Sequence, residues 1–270
     1  MIVPLEQAQD ETRYGGKAAH LGAALRAGLP VPPGFAICSE EGQRFAHERE
    51  GSPLFAELFG AFVPALRPAA VRSSAIGEDS GEASFAGQHA TVLGVSTELQ
   101  LCDAITRVWR SGQDGSARAY RQRLGLPTEA QMGIVVQRLV HADVAGVLFT
   151  RHPVSGADER VIEAAWGLGE VVVSGLVTPD NYRVARGGRL LEQTPGDKDL
   201  RLAWAEHGGT VEHAVPPLRA GALCLDASML RRLDELASRC EAAFPGAHDL
   251  EFAFEGSSLF LLQRRAITRG

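Results

Sequence analysis

The chain has little of most features that mark specialised protein classes. Only four cysteines occur in 270 residues, Cys38, Cys102, Cys224 and Cys240, and no two form a Cys-x-x-Cys pair. That scatter gives neither a disulfide framework nor zinc-ligand spacing, and reads as buried thiols of a reducing compartment. No apolar run approaches the ~18 residues of a membrane span. The N-terminal segment has no basic start and no apolar core, so it does not read as a secretory signal. Basic residues are in the minority, with 27 Lys and Arg against 33 Asp and Glu and a net charge of −6. A mildly acidic chain lacks the basic face that nucleic acid or anionic lipid requires. What is present is ordinary for a folded domain: 45% hydrophobic and 22% charged residues, which excludes collagen-like and disordered classes. The expectation is a cytoplasmic protein with no nucleic-acid and no membrane partner.

The pattern along the chain is mixed. Gly15-Gly16 opens a stretch with Leu21, Ala24 and Leu25 at helical spacing, which stops at Gly28-Leu29-Pro30. Phe35 to Cys38 reads as a short strand, and residues 40–68 read as helix broken at Pro53, Pro64 and Pro68. Val71 to Gly94 fits neither template, and a loop that long in a compact domain is usually functional. Ser96 is expected to cap a helix with Leu101, Ile105 and Val108 on its apolar face, and 116–124 to form another. Strands are expected at 133–140, 145–150 and 160–165, then a glycine-rich connection from 167 to 180 and a hairpin around Gly187-Gly188. Thr194 to Pro217 reads as a polar loop, and Ala227 to Phe244 as a strong amphipathic helix. A hairpin of strands 249–254 and 258–263 closes the chain. This order fits an α+β fold with antiparallel hairpins better than a doubly wound sheet.

Several familiar sites are absent. Gly15-Gly16-Lys17-Ala18 lacks the upstream glycine and the hydroxyl residue of a P-loop. Gly167-Leu168-Gly169 lacks the third glycine of a dinucleotide fingerprint, because position 172 is Val. Neither HExxH nor GxSxG occurs. Three constellations remain. Lys17 begins a helix after two glycines, where backbone amides, the dipole and an ammonium together suit an anion; the same features describe a solvated lysine at a helix start. Arg72, in Val71-Arg72-Ser73-Ser74-Ala75, suits a bidentate phosphate contact or an ion pair with Glu78 or Asp79. In the closing hairpin Glu251 and Gln263 come near one another, with Arg265 two residues further along. A carboxylate and an amide oxygen are hard ligands suited to Mg²⁺, and an acidic residue on a solvated hairpin face would look the same.

These segments run in the order of a known set. Gly15-Gly16-Lys17, Val71-Arg72-Ser73-Ser74-Ala75, Ala83-Ser84-Phe85-Ala86-Gly87-Gln88 and Val136-Gln137-Arg138-Leu139-Val140 are followed by Gly146-Val147-Leu148-Phe149-Thr150 and Gly167-Leu168-Gly169-Glu170 with Pro179-Asp180. Asp249-Leu250-Glu251 and Leu262-Gln263-Arg264-Arg265 end the series. Together they resemble the ATP-binding domain shared by phosphoenolpyruvate synthase, pyruvate phosphate dikinase and rifampin phosphotransferase. The resemblance implies an ATP-grasp-like fold with ATP clamped between two lobes. An N-terminal lobe, 1–138, would carry the glycine-rich phosphate loop; a C-terminal lobe, 139–270, would carry the Mg-binding hairpin. By resemblance, Lys17 and Arg72 hold phosphates, Gly87 and Thr91 line the mobile loop, and Gln137 and Leu139 border the adenine. Glu251 and Gln263 would bind Mg²⁺, and Arg265 would stabilise the transferring phosphoryl group. Such chemistry needs in-line positioning and cations on the charge rather than covalent help.

Two positions depart from the family pattern: Ala266 stands where proline is usual, and His152 follows Phe-Thr-x where an acidic or amide residue is common. His152 reads as a surface variation. The family's phosphoryl-accepting histidine sits in a Thr-Ser-His-type motif on a swivelling domain, and none of the eight histidines here has such neighbours. The chain would therefore supply the ATP half of a reaction, with a histidine-bearing phosphocarrier domain or subunit as partner. A stand-alone kinase acting on a small-molecule acceptor and a nucleotide-binding module without turnover are the alternatives. Termini at Met1 and Gly270 fit a complete product and an excised domain equally.

Overall fold

The structure, a computed structural model, describes residues 1–45, 52–76, 90–113 and 131–267. The chain divides into two units: one takes residues 1–26, 32–139 and 204–209, the other 27–31, 140–203 and 210–270.

In the first unit, strands β1 (Ile2–Pro4), β2 (Gly34–Ile37), β3 (Ala69–Ala75), β4 (Thr91–Val95) and β5 (Met132–Arg138) form one sheet in the order β1-β2-β5-β3-β4. Every adjacent pair is antiparallel. β3 and β4 correct the expectation of an irregular segment from Val71 to Gly94. β3 is buried on both faces for nearly its whole length, so it lacks the apolar–polar alternation that marks a half-buried strand. The helices are α1 (Glu11–Tyr14), α2 (Gly16–Arg26), α3 (Ser39–Phe45), α4 (Pro53–Ala61) and α5 (Glu98–Ser111). Phe35, Ile37, Val71, Ile134 and Val136 of the sheet share a core with Phe45 of α3, Leu58 of α4, and Leu101 and Val108 of α5. Each such side chain contributes about 1.5–3 kcal/mol on burial. Thr97, not Ser96, caps α5. Gln100 stands three residues after it, so the two close a reciprocal capping box at 3.1 and 3.2 Å.

The α1–α2 junction packs on the opposite face of that sheet. Gly15 lies at φ +80°, and a Cβ there would fall 1.9 Å from the Ser74 carbonyl oxygen. Gly133 lets the Tyr14 carbonyl come equally close from the other side, 2.2 Å from where a Cβ would stand.

The remaining elements are β6 (Val144–Phe149), β7 (Glu159–Trp166), α6 (Glu170–Val173), β8 (Asp180–Ala185), β9 (Leu190–Thr194), β10 (Leu200–Trp204), β11 (Thr210–Ala214), α7 (Pro217–Ala220), α8 (Ala227–Ala243), β12 (His248–Glu255) and β13 (Ser258–Ala266). An antiparallel six-stranded sheet runs β13-β12-β6-β7-β8-β9. The β10-β11 ribbon corrects the expected loop from 194 to 217. Every residue of β11 is exposed, so no buried stripe betrays it in the sequence.

α8 starts at Asp226, whose carboxylate accepts the Met229 amide at 2.8 Å, and buries Leu230, Leu233, Leu236, Ala237 and Cys240. Arg160 of β7, fully buried, ties the sheet to that helix. Its guanidinium donates to Asp234, Glu241 and the Ser238 hydroxyl, each at 3.0 Å, and to the Thr150 carbonyl. Removing both carboxylates would strand a buried cation, at a cost of about 3–5 kcal/mol or more. A second internal ion pair joins Asp180 to Lys198, both wholly buried. Asp180 also accepts the amides of Gly196 and Cys224, each at 2.8 Å, which pins two loops to β8.

The expected α+β class with antiparallel sheets is what the chain adopts. Among the described residues no helix is long and apolar enough to cross a membrane.

Gly15→Ala should lower unfolding free energy by more than about 2 kcal/mol, from left-handed strain and backbone overlap together. Gly60→Ala, in α4 with open space around it, should raise it by about 0.5–1 kcal/mol. Denaturant unfolding of the two variants checks the pair; equal effects would contradict the close approach.

Candidate functional site

Six of the expected residues fall in the first unit, five of them among the described residues, and four of those five gather around one sheet face. Arg72 pairs with Thr91 on one side and Val135 on the other. Gln137 is opposite Ala70, two residues along the same face. Ser74 also faces this side, where its hydroxyl accepts the Ala18 amide at 2.9 Å. The α2 amide expected to await an anion is thus donated within the protein. Lys17 is only 8% exposed, and its ammonium donates to the Ser73 carbonyl at 2.9 Å. A solvated lysine at a helix start is therefore excluded. Gln137 is buried and gives its amide N–H to the Pro32 carbonyl at 2.9 Å. Leu139 follows β5, buried, with its backbone amide on the Pro68 carbonyl. Gly87, with Glu78, Asp79 and the rest of its segment, lies outside the described residues.

The second unit carries the closing hairpin, and its register matters. Glu255 to Phe252 pair in step with Ser258 to Leu261, but the next pair is Glu251 with Gln263. Leu262 is the extra residue of a β-bulge. Side chains alternate along a strand, so without the bulge Gln263 would share a face with Leu259 and Leu261. With it, Gln263 and Arg265 turn to the side of Glu251 and Asp249, their direct cross-strand partners. Opposed side chains of this kind have Cβ atoms about 4.5–5.5 Å apart. Gln263 is buried and Glu251 half-buried.

This donor set fits Mg²⁺. A carboxylate and an amide oxygen are hard, and Mg²⁺ is usually held by one or two protein carboxylates, with waters and substrate phosphates completing its shell. Among the described residues no group of three or more His, Cys, Asp or Glu is placed to hold a metal, so a closed all-protein cage is not on offer there.

The same row of side chains runs on across the sheet. Glu251 is opposite Val147, Val147 opposite Glu163, Glu163 opposite Asn181, and Asn181 opposite Thr194. Sequence reasoning assigned Glu163 no role, although a lone acid in the otherwise apolar Val161-Ile162-Glu163-Ala164-Ala165 was its signal.

The base of the hairpin is clamped. His248 is fully buried; its amide donates to the Thr150 hydroxyl, its carbonyl accepts the Thr150 amide, and its Nε2 meets the Phe244 carbonyl, each at 2.9 Å. Burial holds this imidazole below its ordinary pKa, which favours its neutral form. His152 accepts the amides of Val154 and Ser155 on Nδ1 at 3.2 Å, closing its own turn.

The geometry defines a class: an α+β chain of two antiparallel-sheet units, one with a carboxylate and an amide paired across its closing hairpin. The chain belongs to the family described as pyruvate phosphate dikinase, AMP/ATP-binding domain, which matches residues 52–270. A probable phosphoenolpyruvate synthase of Methanothermobacter thermautotrophicus is 33% identical over 299 residues, covering 94% of this chain and 44% of that protein. A rifampicin phosphotransferase of Streptomyces sviceus is 34% identical over 295 residues, covering 94% of this chain and 34% of that one. The chain thus spans less than half the length of these relatives. Among solved structures, the VanG D-Ala:D-Ser ligase of Enterococcus faecalis aligns over 93% of this chain and 52% of its own, with 12% identity and a TM-score of 0.46. A likeness that low adds nothing to the fold read from the sheets themselves.

Glu251→Ala should weaken Mn²⁺ binding to the ATP-loaded chain by more than about tenfold without lowering the melting temperature. Electron paramagnetic resonance of Mn²⁺ measures the first and calorimetry the second. Unchanged Mn²⁺ affinity would remove the hairpin from the metal site.

Proposed function

We propose that the chain is an ATP-dependent phosphotransferase module of ATP-grasp-like design, passing a phosphoryl group to a histidine on a separate swivelling domain or partner. The observation that carries this reading is the bulge-set pairing of Glu251 with Gln263, Arg265 on the same face, in a chain of an AMP/ATP-binding family. Lys17 and Arg72 would hold phosphates, Gly87 and Thr91 would line the loop over them, and Gln137 and Leu139 would border the adenine. Glu251 and Gln263 would hold Mg²⁺, which when bound offsets phosphate charge. Arg265 would meet the charge that develops on the transferring group, where a guanidinium contributes most. Both named relatives are more than twice as long as this chain, and no histidine here has the acceptor's neighbours. Those two facts support an acceptor lying beyond these 270 residues.

The test is nucleotide product analysis with Mg²⁺ and β- or γ-labelled ATP, with and without the histidine domain of a phosphoenolpyruvate synthase relative. AMP and an acid-labile label on that domain, both dependent on its presence, are expected. ADP formed without it, with the label on a small acceptor, would replace this reading by the direct kinase. Binding without turnover in either mixture would leave a nucleotide-binding module.

A further inference from the structure

Glu163 is half-buried on the same sheet face as Glu251 and Gln263, in the same transverse row. Among the described residues its carboxylate has no hydrogen-bond or ion-pair partner. The neighbouring acids of this face differ: Glu159 and Glu192 both take up Arg183. A half-buried carboxylate keeps an open side from which a hydrogen-bond donor can approach. Its neighbours in the row, Val147 and Asn181, do not take it up.

Strands in a sheet lie about 4.8 Å apart, so two steps separate the Glu251 and Glu163 backbones by about 10 Å. That gap is wide for one metal ion shared by both. The gap does suit a reacting group and its nucleophile. A nucleophile in position stands about 3–3.5 Å from the atom it attacks, and a hydrogen bond from its far side adds about 2.9 Å. An imidazole is built for that span, with one nitrogen to attack and an N–H on the opposite edge.

We infer that Glu163 is the acceptor-side carboxylate of the site, taking the N–H hydrogen bond of the attacking imidazole while Glu251 and Gln263 serve the nucleotide side. The inference rests on the histidine-acceptor reading above. In the step, the unprotonated imidazole nitrogen forms a bond to phosphorus, and the bond from phosphorus to the leaving nucleotide oxygen breaks with its electron pair going to the nucleotide. The ring becomes cationic as this happens. A carboxylate on the remaining N–H orients the ring and offsets that charge, and the proton leaves to solvent afterwards.

Two small acceptors isolate this contact. Imidazole carries the second N–H; 1-methylimidazole attacks in the same way but has a methyl group there. With the whole chain and Mg-ATP, imidazole should accelerate ATP consumption at least about tenfold more than 1-methylimidazole at equal concentration, the worth of one charge-assisted hydrogen bond. In Glu163→Ala the two should be equivalent, with Mg-ATP affinity unchanged. If the alanine variant does not fold, Glu163→Gln keeps the shape, loses the charge and should shrink the preference. A preference that persists unchanged in the variant that folds would overturn the inference and leave the histidine reading intact. A tenfold loss of Mg-ATP affinity would also overturn it, by moving Glu163 to the nucleotide side. ATP consumption indifferent to both imidazoles in the unmodified chain would instead overturn the histidine reading, and the inference with it.

Discussion

The register of the last hairpin decides which side chains the carboxyl-terminal sheet presents together. β12 pairs with β6, and β6 with β7, without interruption, so a side chain's face on one strand dictates its neighbours across all three. At the far edge of the sheet β9 steps out of phase beside Arg183 and Val184; at this end the step comes in β13, at Leu262. That single extra residue brings an amide and a guanidinium round to two carboxylates, and leaves Leu259 and Leu261 buried on the other face. A slip of one residue in either direction would expose leucine and bury Arg265, so both the core and the site select the same register. The chemistry assigned to this face follows from that agreement.

The two faces of the six-stranded sheet use charge differently. Towards α8, Arg160 is sealed among Asp234, Glu241 and Ser238, and Asp180 is sealed against Lys198. These ions have all the partners they need and act as fasteners, holding helix and loops at fixed positions. The opposite face carries Asp249, Glu251, Glu163 and Arg265 on regular strands whose backbones are hydrogen-bonded on both sides or, for β13, on one. Rigid placement of that kind is what phosphoryl transfer asks of a protein, because the acceleration comes from donors and cations already in position. In the first unit the same economy appears around Lys17. Glycine at 15 and 133 lets helix and sheet approach closely enough for the ammonium to reach the Ser73 carbonyl.

Much of this was legible in the sequence, for identifiable reasons. α8 shows five buried residues at helical spacing, and the closing hairpin shows alternation in the strand before Gly256. The proximity of Glu251, Gln263 and Arg265 followed from that hairpin and from the family resemblance. The bulge that makes the proximity exact in register did not, because Leu259-Phe260-Leu261-Leu262 is uniformly apolar and offers no phase to read. β3 was missed since it is buried on both faces, and β10-β11 since much of that ribbon is exposed. Lys17 was legible as a basic residue at a helix start, whereas its tether to Ser73 depends on contact across 56 residues. Glu163 could be seen only as an acid among apolar neighbours; its alignment with Glu251 needs the pairing of three strands.

The central claim is that a divalent ion and the phosphates of ATP meet at the bulged hairpin. Anomalous diffraction from crystals grown with Mn²⁺ and a non-hydrolysable ATP analogue locates the ion without assumption. The account predicts a manganese peak between the Glu251 carboxylate and the Gln263 amide oxygen, with analogue phosphate oxygens completing its shell. A peak elsewhere, with nucleotide bound and this pair away from it, would contradict it.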